Sequence, residues 1–142
     1  MRDIIFVCYH DNSITLVMKF LKQVHDTSGT KIHINIFYET DGFNLSQLTT
    51  QYKNEWKANA GWLRLSFHAK AEMPDRPYLN AGYEEVKGDC ENVKKEIRRF
   101  AGEELMSPVT TLHWGEANVE GSRALRDEGY TTQVGYFNVD ND

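Results

Sequence analysis

The stretch Leu63–Ala69, which reads LRLSFHA, decides the fold class because it runs apolar, β-prone residues directly into a histidine. Two other β-prone segments, residues 4–9 (IIFVCY) and 109–112 (VTTL), also run into histidines, His10 and His113. Parallel strands joined by right-handed crossovers bring their carboxyl ends to one edge of a sheet, where α/β proteins hold ligands. The sequence therefore predicts three histidine-bearing strand ends at one edge.

Strand-like and helix-like patterns alternate along the chain, which is typical of a mainly parallel sheet covered by helices. Strands are expected at residues 4–9, 32–38, 62–67, 109–112 and 131–139. Helices are expected from residue 12 or 13 to just before Gly29, from Ser46 to about residue 58, over 86–100 and near 119–128, with an irregular loop over 69–81. The 142 residues thus predict a single α/β domain over 1–142, with about five strands in the sheet.

Composition and charge exclude several classes of protein. The net charge is -5, the pI is near 5.5 and the basic residues are scattered, which disfavours binding to nucleic acid or to an acidic membrane. No apolar run approaches the roughly 18 residues that span a bilayer, and the first residues lack the pattern of a secretory signal. We therefore expect a cytoplasmic protein with no membrane partner, in which Cys8 and Cys90 are reduced core residues.

The residues at the predicted sheet edge are those that bind a divalent metal. Two histidines and a carboxylate can hold such an ion with positions left open for water, which lowers the pKa of that water towards about 7. Asp11, His68 and either His113 or Glu72 would supply the ligands. Hydrolysis of an amide or ester follows from this chemistry.

A second ionisable group must take the proton from the water, and the candidates are His10 and Glu116. Each candidate also has a purely structural interpretation. Asp11 could cap the first helix, and Glu116 could complement the dipole of the helix that follows it. His68 could be a hydrogen-bonded core residue, and His113 could simply pack against an aromatic ring.

Two motifs resemble those of a known family. Residues 9–12 read YHDN at the end of the first predicted strand, and residues 68–72 read HAKAE at the end of the third. Their order and spacing resemble those of the polysaccharide deacetylases, metal-dependent enzymes that remove N- or O-acetyl groups from sugars. That family has a paired Asp-Asp motif in the first place and His-Ser/Thr-x-x-His in the second, on an irregular (β/α)7 barrel.

The resemblance implies roles for four residues. Asp11 falls at the metal-binding aspartate and His68 at the first metal-binding histidine. His10 stands where the family has its base aspartate, and Glu72 stands where it has its second histidine. Residues 112–116 fall roughly at the family's Arg-x-Pro-Tyr motif, but their types differ and no role is transferred.

The family's last strands, with a late acid and a Leu-x-His motif, have no counterpart before residue 142. The fold implied is therefore part of the deacetylase barrel or a shortened form of it. An open sheet must protect its edges, so we also expect a homo-oligomer.

Two functions remain open at this stage. The first is a metal-dependent deacetylase, with zinc as the expected ion and an acetylated carbohydrate as substrate. The second is a degenerate, non-catalytic member that keeps the fold as a carbohydrate-binding or assembly module. Trp62, Tyr78, Tyr83 and Trp114 could stack against a sugar ring in either case. A nucleotide-binding module is disfavoured because no Gly-rich loop follows the first strand.

Overall fold

A computed structural model describes residues 2–6 and 11–135, with side chains described from Val17 onward. His10, Cys8 and the last residues of the fifth predicted strand lie outside the described residues, as does the side chain of Asp11. Cys90 is buried, as predicted, and carries a free thiol.

The chain is mixed α/β, with parallel strands and helices alternating along most of its length. The strands are β1 (Arg2–Phe6), β2 (Ile32–Phe37), β3 (Glu39–Thr40), β4 (Phe43–Asn44), β5 (Leu63–Ala69), β6 (Val109–Thr111) and β7 (Thr132–Val134). The helices are α1 (Asp11–Ser28), α2 (Lys53–Ala58), α3 (Tyr83–Phe100) and α4 (Val119–Asp127). Short 3-10 turns cover Leu45–Gln47, Glu103–Leu105 and His113–Gly115.

The strands of the described residues are divided among three small sheets, so the single sheet of about five strands that the pattern predicted is not confirmed. Over residues 2–6 and 11–135, β1, β2 and β5 form a parallel sheet in that order, β6 and β7 form a separate parallel pair, and β3 and β4 form a short antiparallel hairpin. The β5 and β6 regions are linked by an isolated bridge, from Leu65 to Met106, and by side-chain hydrogen bonds from Thr110 Oγ1 to the carbonyl of Phe67 and from His68 Nδ1 to the carbonyl of Thr111. Because these links replace a continuous ladder, a closed barrel is not seen in the described part of the chain.

Both faces of the central strands are buried. On one face, Ile34 of β2 lies beside Leu65 of β5, and α3 covers β5 with a stripe that includes Val93 and Ile97. The residues at the alternate positions of these strands point to the other face, and that face carries polar side chains. Burial on both sides is what parallel strands in α/β proteins require.

Three of the four predicted helices are confirmed, and one is wrong. The residues from 46 to 58 form a 3-10 turn and the separate helix α2 instead of one helix. Asn44, not Ser46, is the cap: its Oδ1 accepts a hydrogen bond from the backbone of Ser46, and Gln47 returns a bond to the backbone of Asn44. Arg99 of α3 donates hydrogen bonds to the carbonyls of Leu45, Ser46 and Leu48, which are acceptors that a continuing helix would use.

Within the described ranges, none of the helices is long and apolar enough to cross a membrane.

Candidate functional site

His68 and His113 lie together at the carboxyl ends of β5 and β6. The Nδ1 atom of His113 is 3.3 Å from the Nε2 atom of His68, and the two rings meet edge to face at a centroid distance of 5.2 Å. Phe37, at the end of β2, packs edge-on against both rings. The structure thus brings together two of the predicted site residues, although 45 positions separate them in the chain.

The outer nitrogen of each histidine binds a backbone carbonyl. Nδ1 of His68 donates to the carbonyl oxygen of Thr111 at 2.5 Å, and Nε2 of His113 donates to the carbonyl oxygen of Glu72 at 3.0 Å. A carbonyl oxygen only accepts hydrogen bonds, so each neutral ring must carry its proton on the outer nitrogen. The two nitrogens that face each other therefore each carry a lone pair and no proton.

Two facing lone pairs cannot form a hydrogen bond with each other. They need a bridging proton, which would make one ring an imidazolium, or a cation bound by both nitrogens. Burial and the nearby His113 lower the pKa of His68 to about 4, against the opposing effect of the hydrogen bond to Thr111. His68 is therefore neutral at pH 7, which is the form of imidazole that binds metal ions.

A buried polar network holds the carbonyl that orients His68. Oδ1 of Asn35 accepts a hydrogen bond from Ser66 Oγ at 2.7 Å and another from the backbone NH of Thr111 at 3.1 Å. Because the single hydroxyl proton of Ser66 goes to Asn35, Nε2 of His33 must donate to Ser66 Oγ, at 2.9 Å. His33, Asn35 and Ser66 are each at most 1% exposed. The Thr111 peptide is thus fixed on its NH side by this network and binds His68 through its carbonyl.

The sequence pattern had indicated no functional role for His33, Asn35 or Ser66. The available signal was a polar residue at every second position of two strands otherwise rich in Ile and Leu. A strand buried on both faces keeps such residues only if their hydrogen bonds are satisfied.

The remaining candidates are arranged differently. Glu72 contacts the histidine pair through its backbone carbonyl, so its role as a carboxylate ligand stays a prediction. Glu116 lies beside Arg76, with 3.7 Å between Oε2 and the guanidinium Nε. Asp11 is the first residue of α1.

Among the residues with described side chains, no three His, Cys, Asp or Glu groups are placed to hold one metal ion. The histidine pair supplies two nitrogen donors. The side chains of His10, the candidate base, and Asp11, the candidate carboxylate ligand, are not within that set.

Neither a protein-family model nor a curated protein matches the chain.

Proposed function

We propose that this protein is a metal-dependent hydrolase that removes acetyl groups from an N- or O-acetylated carbohydrate, with His68 and His113 as two of the metal ligands. The observation that supports this most is the pair of facing, unprotonated nitrogens 3.3 Å apart. Metal-binding histidines characteristically donate their other ring NH to a carbonyl or carboxylate, which fixes the tautomer and aims the lone pair at the ion. Both histidines have this arrangement.

The donor set fits zinc. Imidazole nitrogens and a carboxylate are the usual ligands of catalytic zinc sites, which keep one position open for water. Asp11 is our choice for the carboxylate because it follows β1, whose carboxyl end lies at the same sheet edge as those of β2 and β5. Glu72 is the second choice. The resemblance to the deacetylase motifs favours the same assignment for Asp11 and His68.

When bound, such an ion lowers the pKa of a water molecule and polarises the substrate carbonyl. The chain itself must then move a proton and hold its ligands still. His10 is the proposed base, since it precedes Asp11 directly, and Glu116 is the alternative. Asn35 and Ser66 act as positioning residues, because they hold the Thr111 peptide against which His68 is oriented.

The second candidate function is a non-catalytic carbohydrate-binding module of the same fold. It is favoured by the half-exposed ring of Trp114, which is 51% exposed and lies beside His113. A binding module has no need of a metal, so metal affinity separates the two proposals.

The first test is zinc binding, measured by calorimetry after dialysis against a chelator. We compare the wild type with His68→Asn and His113→Asn, and with His25→Asn as a control, because His25 stacks on Trp62 away from the pair. Loss of a ligand should weaken binding by at least the ~100-fold that loss of a supporting group can cost. Near-stoichiometric zinc that both ligand variants lose, and the control retains, is the expected result.

The second test is release of acetate from an N-acetylated chito-oligosaccharide and from an O-acetylated xylan by the zinc-loaded protein. Zinc binding together with acetate release supports the hydrolase. Zinc binding without release from either substrate class refutes the removal of acetyl groups from these carbohydrates. Wild-type protein that takes up no zinc refutes the metalloenzyme proposal.

A further inference from the structure

Three side chains form a cluster next to the histidine pair, which we call the Trp114 cluster: Trp114, Arg76 and Glu116. The Trp114 ring meets the His113 ring at a centroid distance of 5.9 Å. The guanidinium carbon of Arg76 lies 6.0 Å from the centroid of the Trp114 ring, and its Nε lies 3.7 Å from Oε2 of Glu116. The cluster therefore adjoins the candidate metal ligands without being part of them.

The backbone of this cluster is strained at two positions. Trp114 has φ 64° and Arg76 has φ 51°, both in the left-handed region that residues with a Cβ rarely adopt. These are the two non-glycine residues with positive φ in the described part of the chain. Strained conformations of this kind persist where the surrounding structure imposes them, and they concentrate at ligand sites. The side chains of Trp114 and Arg76 are thus held in place at a cost to the local backbone.

Among the four residues predicted to stack against a sugar, Trp114 is the one whose ring is open to a ligand. Of the four residues predicted to stack against a sugar, Tyr78 is only 1% exposed and Trp62 is stacked on His25. The hydroxyl of Tyr83 donates to a carboxylate of α4. Trp114 is 51% exposed, so the contacts with His113 and Arg76 leave half of its surface open.

The polar groups of the cluster are only partly satisfied. Oε2 of Glu116 is buried and has no hydrogen-bond partner among the described residues, since Arg76 is too far away at 3.7 Å. Arg76 has a half-exposed side chain with several NH donors. The two charges offset each other. An acceptor and a donor without net charge suit the hydroxyl groups of a neutral ligand, whereas an anion would meet Glu116 and a cation would meet Arg76.

We infer that the Trp114 cluster is a subsite for an uncharged sugar ring, which stacks on Trp114, accepts a hydrogen bond from Arg76 and donates a hydroxyl proton to the exposed part of the Glu116 carboxylate, whose side chain is 24% exposed. The inference rests on the proposed function, because it places the carbohydrate substrate beside His68 and His113. It also assigns the substrate class: a neutral acetylated saccharide and not an acidic one.

The test is calorimetric titration with tri-N-acetylchitotriose and with O-acetylated xylo-oligosaccharide, using protein without zinc so that no turnover occurs. Variants are Trp114→Ala, Trp114→Gly and Glu116→Gln, with Trp62→Phe as the control. We expect the two Trp114 variants to bind at least about tenfold more weakly, as the loss of one stacked or hydrogen-bonded contact implies. The control should bind like the wild type.

The pair of Trp114 variants separates binding from a merely structural role. Both remove the ring, but glycine tolerates a φ of 64° and alanine does not. If the ring only locks the loop, both variants should unfold at lower temperature and keep any sugar affinity. Trp114→Gly should melt above Trp114→Ala in either case. If the ring binds the sugar, both variants should lose affinity, and the loss in the more stable Trp114→Gly would show that poor folding is not the cause.

Failure of this inference is distinguishable from failure of the proposed function. Wild-type affinity in the Trp114 variants, no binding of either neutral saccharide at millimolar concentration, or tighter binding of an oligogalacturonate would overturn the subsite, whatever the zinc result. Zinc affinity should be unchanged in the Trp114 variants. Sugar binding that depends on Trp114 in a protein that takes up no zinc would support the subsite and reject the hydrolase.

Discussion

Protonation of the buried His68 should make the stability of this protein depend on pH. The pKa of His68 is lowered from 6.5 to about 4, first by burial and then by the nearby His113. Between these two values the unfolded chain binds a proton that the folded chain does not. The free energy of unfolding must therefore fall as the pH falls from 6.5 towards about 4. The loss is absent well above pH 6.5 and complete only below pH 4.

The size of the effect follows from the two pKa values. A difference of roughly 2.5 units at about 1.36 kcal/mol per unit amounts to on the order of 3 kcal/mol for the full window, and about 2 kcal/mol of it should already be lost at pH 5. Solvent does not screen this effect appreciably, because His68 is only 1% exposed. Such a loss is a large part of the stability of a typical domain.

The assay is urea unfolding at intervals between pH 4.5 and pH 8, in the presence of a chelator. His68→Asn removes the titrating ring but keeps an amide that can donate to Thr111, and Gln23→Ala serves as a surface control because Gln23 is exposed and does not titrate. The wild type should lose more stability than His68→Asn on acidification, and the control should follow the wild type. A difference between wild type and His68→Asn that stays constant across the pH range would refute the reasoning.

Three further predictions concern residues outside the candidate site that stabilise the fold. Arg99→Ala should lower the free energy of unfolding by about 2–3 kcal/mol in urea titrations, since the carbonyls of Ser46 and Leu48 lose a charged donor and the carbonyl of Leu45 keeps only the backbone NH of Leu48; an unchanged midpoint would contradict this. Gly102→Ala should lower the melting temperature by calorimetry, because φ is 106° there and a Cβ would lie 2.5 Å from a neighbouring side chain; a rise would show that the position relaxes freely. Lys94→Met should destabilise by about 3–5 kcal/mol, because it leaves the mostly buried Glu128 carboxylate unpaired, and adding Glu128→Gln should recover part of the loss.

Local sequence pattern predicted most of the secondary structure. The apolar stripe of α3, with Val86, Cys90, Val93 and Ile97 three or four positions apart, is a signal that lies within the helix itself. Residues 46–58 were the exception. A short turn at Leu45–Gln47 replaces the start of that helix, and the carbonyls of this region bind Arg99, which lies about fifty positions further along the chain.

The same division holds for the site. By itself the sequence determined that strands end in His68 and His113, because alternation and β-propensity are properties of neighbouring residues. Only the tertiary structure decided that these two rings meet, that backbone carbonyls set their tautomers, and that Asn35 and Ser66 stand behind them. The distance between strand ends depends on register, twist and loop path, and these arise from contacts between residues far apart in the chain.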